Sequence, residues 1–341
     1  MRAMELRGVR DLMICREPLS SVERPVPVPG PGMVLVRVSS CGVCHTELDE
    51  IEGRTPPPRF PVIPGHQVIG KVVDTGSGAA LYTEGDRVGA GWFFSSCGAC
   101  GLCRSGRENL CPDFRATGRD ADGGYAEYMV VPESSAALIP DVLDDIEAAP
   151  LLCAGAVGYR AVRLAATRDG LSVGLTGFGA SGHLVLQMVR HLYPSSPVFV
   201  FARSATEREF ALSLGASWVG DTADRAPVPL DRIIDTTPAW MPVVEALENL
   251  APGGRLVINA IRKESGDRDQ LLRLDYARHL WMEKELKSVA NICVEDIREF
   301  LLLAAELDLH PVVEALPLAE ANRALLRLKS GGLRGALVLV P

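Results

Sequence analysis

Three cysteines crowd into one short segment, Cys97-Gly98-Ala99-Cys100-Gly101-Leu102-Cys103, and a fourth, Cys111, follows after seven residues. Four thiolates so close can complete a tetrahedral shell around one zinc ion, with each sulfur about 2.3 Å from the metal. A closed four-sulfur shell has no open position, so this ion would hold a loop and do no chemistry. The competing reading, free or disulfide-bonded thiols in a surface loop, fits poorly with the intracellular setting expected of a chain of 341 residues whose nine cysteines crowd at short intervals. A catalytic zinc has a different requirement, three protein ligands and one exchangeable position. Three separated segments offer donors: Cys41-Gly42-Val43-Cys44-His45, Pro64-Gly65-His66-Gln67, and Ala149-Pro150-Leu151-Leu152-Cys153-Ala154-Gly155. The residues alone do not bring these together, because a lone histidine is more often a core or surface residue and cysteine is among the most buried types. At this level the choice between Cys41 and Cys44 also stays open.

A second chemistry is written in Gly177-Phe178-Gly179-Ala180-Ser181-Gly182, which follows an apolar strand and opens a helix. In that context the glycines allow a tight turn and let a pyrophosphate approach the backbone, and the helix N-terminus faces the anion. A glycine-rich turn by itself is a weak signal; repeated strand and helix units around it make it informative. The next strand ends Val198-Phe199-Val200-Phe201-Ala202-Arg203-Ser204. An acidic residue about 20 positions beyond the turn would bind the ribose hydroxyls of NAD. Ala202 stands there instead, and Arg203 with Ser204 could bind a 2′-phosphate, so NADP is favoured over NAD. The plainer reading of Arg203 is a solvated surface cation.

The elements that must position these groups fall into two textures. Residues 1–150 alternate short β segments with Gly and Pro punctuation: Met33 to Val38, Gln67 to Val73, Arg87 to Gly89 and Tyr125 to Val131. The brief Pro25 to Pro31 stretch reads as a rigid surface turn. From 151 to 285, strands at Ser172 to Thr176, Val198 to Phe201, Ile233-Ile234 and Leu256 to Ile258 alternate with helical spacing at His183 to Leu192 and Thr206 to Leu214. That pattern predicts a doubly wound parallel sheet, an α/β architecture. Residues 286–341 add helices at Glu295 to Leu307 and Leu318 to Lys329 and a strand at Ala336 to Val340. The 35 Lys and Arg against 43 Asp and Glu leave no basic run to follow a phosphate backbone, which argues against nucleic acid as a partner. No apolar run is long enough to span a bilayer, and the start lacks a signal peptide, so the expectation is a cytoplasmic protein with no membrane partner.

Taken together, Cys44-His45-Thr46, Pro64-Gly65-His66, Gly85-Asp86-Arg87-Val88, the four-cysteine loop, Asp122-Gly123-Gly124-Tyr125-Ala126-Glu127-Tyr128 and Ala148 to Gly155 resemble the zinc-containing medium-chain alcohol dehydrogenases along the whole chain. The resemblance implies a GroES-like catalytic domain, 1–150 completed by 286–341, clasping a Rossmann domain over 151–285. It implies two zinc ions per chain, and it selects Cys44 over Cys41 as catalytic ligand, with His66 and Cys153 completing the set. Thr46 would begin a proton relay, His45 would reach the cofactor pyrophosphate, and Trp92 and Phe93 would line the pocket for a small alcohol or aldehyde. Zinc held by two thiolates and an imidazole keeps enough Lewis acidity to lower the pKa of an alcohol toward neutrality. The family also implies a homodimer or homotetramer, since late strands of its Rossmann domain pair between subunits.

Several positions depart from the family pattern. Glu47 replaces the usual Asp beside the histidine ligand, Asp49 stands where many members place the relay histidine, and Gln67 replaces a Glu. The usual Gly-Arg pair near the C-terminus reads Gly335-Ala336, leaving Arg334 as the neighbouring cation. Two other readings stand beside the enzyme: a catalytically silent binding module that keeps the fold, supported by Asp49 and Gln67, and, nearer to it, a zinc-independent reductase of conjugated carbonyls or quinones.

Overall fold

The computed structural model describes residues 1–179, 181–331, 333 and 335–341. Ala180 of the glycine-rich turn and Arg334 lie outside the described residues. In chain order the first part holds β1 (Arg2–Leu6), β2 (Leu19–Glu23), β3 (Met33–Val43), α1 (His45–Ile51), β4 (Val68–Thr75), β5 (Arg87–Ala90), β6 (Phe93–Ser95), α2 (Gly101–Arg104), β7 (Arg115–Ala116), β8 (Tyr128–Pro132), β9 (Ala136–Leu138) and α3 (Asp145–Pro150). There follow α4 (Ala156–Ala165), β10 (Val173–Thr176), α5 (Gly182–Leu192), β11 (Val198–Phe201), α6 (Ala205–Ser213), β12 (Trp218–Gly220), β13 (Leu230–Asp235), α7 (Met241–Asn249), β14 (Leu250–Ile258) and β15 (Glu285–Ser288). The chain ends with α8 (Val294–Glu306), β16 (Val313–Pro317), α9 (Ala321–Ser330) and β17 (Ala336–Val340). It divides into two compact units, Met1–Ala156 with Asn291–Pro341, and Val157–Ala290. Among the described residues no helix is long and apolar enough to cross a membrane.

The first unit is built on a seven-stranded sheet in the order β16-β17-β3-β4-β5-β9, with β8 also paired to β3. β3 runs to Val43, five residues past the Val38 expected from the sequence, because its far end pairs with β17: Leu337 lies opposite Val43 and Leu339 opposite Cys41. A partner strand from the other end of the chain leaves no local trace. The expected strand at Tyr125 begins only at Tyr128, since residues 123–125 spend their N–H groups elsewhere: Gly123, Gly124 and Tyr125 donate to the carbonyls of Ile63, Gly65 and Pro64 at 2.7, 3.0 and 2.9 Å. Leu6, Ile51, Ile63 and Tyr125 are wholly enclosed in the core beneath this sheet. Each such apolar side chain contributes about 1.5–3 kcal/mol on burial.

The second unit is one parallel sheet ordered β12-β11-β10-β13-β14-β15, with every neighbouring pair parallel. Numbered from β10 this is the 3-2-1-4-5-6 order of the dinucleotide-binding fold, whose switch point falls between the first and fourth strands. The α/β expectation holds. At the C-terminal ends of those two strands, Asp235 is fully buried and accepts from Thr176 Oγ1 at 2.6 Å and Thr237 Oγ1 at 2.7 Å, and pairs with Lys263. Lys263 Nζ also donates to the carbonyls of Thr237 and Ala239, both at 2.8 Å. The short strands β1, β2, β15 and β16 were not anticipated. In β15 all four residues are exposed, so no apolar alternation marks it.

Candidate active site

α1 begins where β3 ends, and the side chains there do two jobs at once. Cys44 is the extended residue ahead of the helix; its Sγ accepts from Thr46 N–H at 3.3 Å, while its own N–H donates to Glu47 Oε2 at 2.9 Å. This is a capping box with sulfur in the place of a hydroxyl oxygen. It orients the thiol of Cys44 and the carboxylate of Glu47 toward the same side. The other oxygen of Glu47, Oε1, lies 2.5 Å from Nδ1 of His66. The extra methylene of Glu47 over an Asp is therefore used: one carboxylate spans from the helix cap to the imidazole.

The segment that leads into His66 is held in turn by the backbone bonds from residues 123–125 to the carbonyls of Ile63, Pro64 and Gly65, which explains why Asp122-Gly123-Gly124-Tyr125 belongs to the pattern. Asp122 Oδ1 also accepts from Ile63 N–H at 3.0 Å. Cys153 arrives by a third route, a single π-helical turn, Leu151–Gly155, directly after α3. Such wide turns inside helices recur at functional sites because they displace a side chain from helical register.

The three donors meet within the first unit. Cys44 Sγ lies 3.7 Å from His66 Nε2 and 3.9 Å from Cys153 Sγ, and all three donor atoms lie within 4.8 Å of one another. A tetrahedral zinc ion with ordinary bond lengths separates its donors by about 3.6–3.8 Å. The chemistry of the set agrees with a soft divalent ion. The hydrogen bond with Cys153, then burial, hold the Cys44 thiol well above its ordinary value, so a cation is what would keep it a thiolate. Burial works to lower His66, but the charges of Glu47 and Cys44 outweigh it and raise it, so a proton and a metal ion compete for Nε2. Cys41 lies apart from this group, buried in β3 with its Sγ 3.7 Å from its neighbour's carbonyl. Cys15 and Cys293 are also outside it; Cys293 Sγ lies 3.1 Å from Asn109 Oδ1.

The four-cysteine loop gathers as closely. Sγ separations are 3.8 Å for Cys97–Cys103, 3.5 Å for Cys100–Cys103, 3.9 Å for Cys100–Cys111 and 3.5 Å for Cys97–Cys111. The N–H groups of Ala99 and Cys100 pull the Cys97 thiol down to about 6. The Cys97 N–H draws the Cys111 thiol down as well, but burial and the sulfurs of Cys97 and Cys103 win and push that thiol up to about 11. Among the described residues these are the two groups of donors spaced to hold a metal.

Of the remaining sequence candidates, Thr46 is buried with Oγ1 3.3 Å from Cys44 Sγ, and His45 is exposed at the first position of α1. Asp49 is buried and turned to Arg54, whose Nε lies 2.5 Å away. Gln67 packs on Gly42, where an added Cβ would meet its Oε1 at 2.1 Å. Trp92 donates from Nε1 to Glu50 Oε1 at 3.2 Å and has Phe114 and the Arg119 guanidinium against its ring, while Phe93 is buried beside Phe114.

In the second unit the described part of the glycine-rich turn sits at the switch point. Gly177 takes φ +80, and an added Cβ there would strike Thr237 and Thr236 at 2.8 and 2.9 Å. At Gly182 a Cβ would lie 2.6 Å from the Gly177 carbonyl, so α5 approaches the turn only because that residue has no side chain. Phe178 is buried against Phe210, Ser181 precedes α5, and Gly179 has open space around it. Ala202 is buried, whereas Arg203 and Ser204 are exposed. One residue escaped the sequence reading here. Arg208, on α6, donates from Nη1 to the carbonyls of Ala202 at 2.6 Å and Arg203 at 3.0 Å. The signal was available, because helical side chains lean toward the N-terminus and carry a cation four residues inside α6 back over the end of β11.

Comparison with known proteins places the chain. Residues 30–141 match the alcohol dehydrogenase GroES-like domain. A Mycobacterium tuberculosis protein named "Probable alcohol dehydrogenase AdhA" is 43% identical over 328 residues, covering 95% of this chain and 93% of that one. The chain belongs to the zinc-dependent medium-chain alcohol dehydrogenases. An alcohol dehydrogenase of Geobacillus stearothermophilus is 33% identical, covering 90% of this dehydrogenase and 91% of its own length. The cobalt- and zinc-bound thermostable alcohol dehydrogenase of Pyrobaculum aerophilum superposes with a TM-score of 0.86 at 27% identity, over 100% of this chain and 99% of that one. The protein is thus an NAD(P)-dependent oxidoreductase of alcohols and aldehydes, with zinc and a nicotinamide as its cofactors.

The bond between Glu47 and His66 gives this dehydrogenase a direct test. Replacing Glu47 by Gln removes the charge that steadies the imidazole while keeping its size, and metal affinity at that centre should fall about 10- to 100-fold. Chelator competition should show the Glu47→Gln protein giving up zinc more readily than the wild type. Zinc retention equal to that of the wild type would mean that Glu47 does not support the metal.

Proposed function

We propose that Cys44, His66 and Cys153 hold the catalytic zinc and that Cys97, Cys100, Cys103 and Cys111 hold a second, structural one. The observation that carries this reading is the convergence of Cys44 Sγ, His66 Nε2 and Cys153 Sγ within 4.8 Å. Zinc supplies Lewis acidity to the substrate oxygen when bound, and the nicotinamide supplies the hydride acceptor. The chain supplies the rest. Two thiolates and a neutral imidazole balance a divalent ion's charge while leaving one coordination place for substrate. Glu47 keeps the imidazole in the tautomer whose Nε2 lone pair faces the sulfurs. Thr46 Oγ1, beside Cys44, is the hydroxyl that takes the alcohol proton as the carbonyl forms.

The preferred cofactor in this reading is NADP, held by the turn at Gly177 to Gly182. Ala202 offers no carboxylate to repel a 2′-phosphate. Arg203, Ser204 and the anchored guanidinium of Arg208 gather donors at the end of β11. Asp221 lies 3.7 Å from Arg208 Nη1 but is half-exposed, so solvent screens its competing charge. The expected result is alcohol-dependent formation of reduced nicotinamide with kcat/KM higher for NADP than for NAD. Arg208→Ala should cost about tenfold or more with NADP, the scale of one lost charge-assisted contact, and little with NAD. Activity that survives Cys44→Ala, or an unchanged cofactor ratio in the Arg208 variant, would contradict the respective part.

We also read β15 as the edge through which two copies pair into a homodimer. It is the last strand of its sheet and wholly exposed, next to exposed Trp281 and Met282 and carrying exposed Leu286. An uncovered strand edge beside apolar side chains is a template for a second chain. Light scattering should give a dimer or a multiple of it. Lys287 already places one cation in that edge, and a second at the neighbouring position, Leu286→Lys, should shift the population toward monomer. A monomeric native protein would refute the assignment.

A further inference from the structure

α1 carries three acidic side chains beyond its cap, and two are committed: Glu47 to His66 and Asp49 to Arg54. The third, Glu50, is buried at 1% exposure. Its Oε1 accepts from Trp92 Nε1, and among the described residues nothing hydrogen-bonds its Oε2. A carboxyl so enclosed with one oxygen unused is costly unless it carries a proton or exchanges one. Glu50 stands four residues after Thr46, so the two side chains are neighbours one turn apart on the same face of α1.

We propose that Glu50 is the proton store of the active site, receiving through Thr46 the proton released from the alcohol and returning it in the reverse reaction. The proposal rests on the assignment of Thr46 made above. In oxidation the C–H hydride leaves with its electron pair for the nicotinamide ring. The alcohol O–H proton passes to Thr46 Oγ1, and the hydroxyl proton of Thr46, which makes no direct hydrogen bond to Glu50 in the structure, passes through one bridging water to the Glu50 carboxylate. The products are a carbonyl, reduced nicotinamide and a neutral Glu50, with one hydride and one proton accounted for. Asp49 is excluded from the task by Arg54. Glu50 acts through Thr46 and touches neither substrate nor cofactor in this scheme.

The surroundings set the direction of its pH dependence. Burial first, then the Glu47 carboxylate, push Glu50 up to about 8, against the lowering influence of His66, the Trp92 N–H and Arg119; Tyr125 also faces it. The carboxylate that accepts a proton is present above that value and the acid that gives one below it. Oxidation should therefore gain rate as pH rises through about 8, and reduction should lose it.

The test uses the full enzyme and Glu50→Gln, which keeps the size and an acceptor for Trp92. The expected outcome is a roughly 10- to 100-fold fall in kcat for oxidation, loss of the alkaline limb, cofactor KM near wild type, and return of the limb in Glu50→Asp. Infrared difference spectra between pH 6 and 10, a range chosen to bracket about 8, should show a neutral carboxylic acid band that disappears on ionisation in wild type and is absent in Glu50→Gln. Trp92→Phe should retain that band, which separates the carboxyl from its hydrogen bond. An unchanged pH profile in a folded, metal-replete Glu50→Gln enzyme, or a band that persists in it, would overturn the proposal. Were wild type inactive on every alcohol, the assignment of the site would fail first, and the infrared titration would still decide whether Glu50 holds a proton.

Discussion

Three donors that are 22 and 87 residues apart in the chain must reach one another within a few ångströms, and each is delivered by a different local device. Cys44 is set by the cap of α1, His66 by backbone bonds from residues 123–125, and Cys153 by a wide helical turn. Glu47 links the first two, because the same carboxylate closes the capping box and receives the imidazole. Loss of that link would loosen the helix start and the His66 imidazole together. The rest of the first unit, with β17 closing the far end of β3, serves to hold these devices in place.

The departures from the family pattern become intelligible once the carboxylates of α1 are followed to their partners. A longer acid at position 47 reaches both the cap and the ring. Asp49 is engaged by Arg54 and serves to fasten the helix end. Gln67 has turned to Gly42, where its amide packs on backbone. The acidic character of the helix is thus divided between the His66 imidazole, the Arg54 guanidinium and, in Glu50, a buried group with an unused oxygen.

Much of this was legible in the sequence, for reasons that differ by element. The four-cysteine loop could be read outright, since its donors are close in sequence as well as in space. The parallel sheet was legible because apolar strands alternate with helical spacing, and β11 and β17 were placed to the residue. The convergence of Cys44, His66 and Cys153 was not legible from spacing, and the choice of Cys44 over Cys41 came only with the family resemblance. What stayed hidden depends on distant partners: the extension of β3 needs β17, β15 has no apolar face to announce it, and Arg208 acts through backbone carbonyls. The buried pair of Asp235 and Lys263 joins two segments 28 residues apart, which no local pattern records.

The most direct measurement is anomalous scattering at the zinc edge from crystals of the purified protein. The account predicts two peaks per chain, one inside the four sulfurs of the cysteine loop and one bounded by Cys44 Sγ, His66 Nε2 and Cys153 Sγ. A single peak at the loop, with those three side chains turned away from one another, would contradict it.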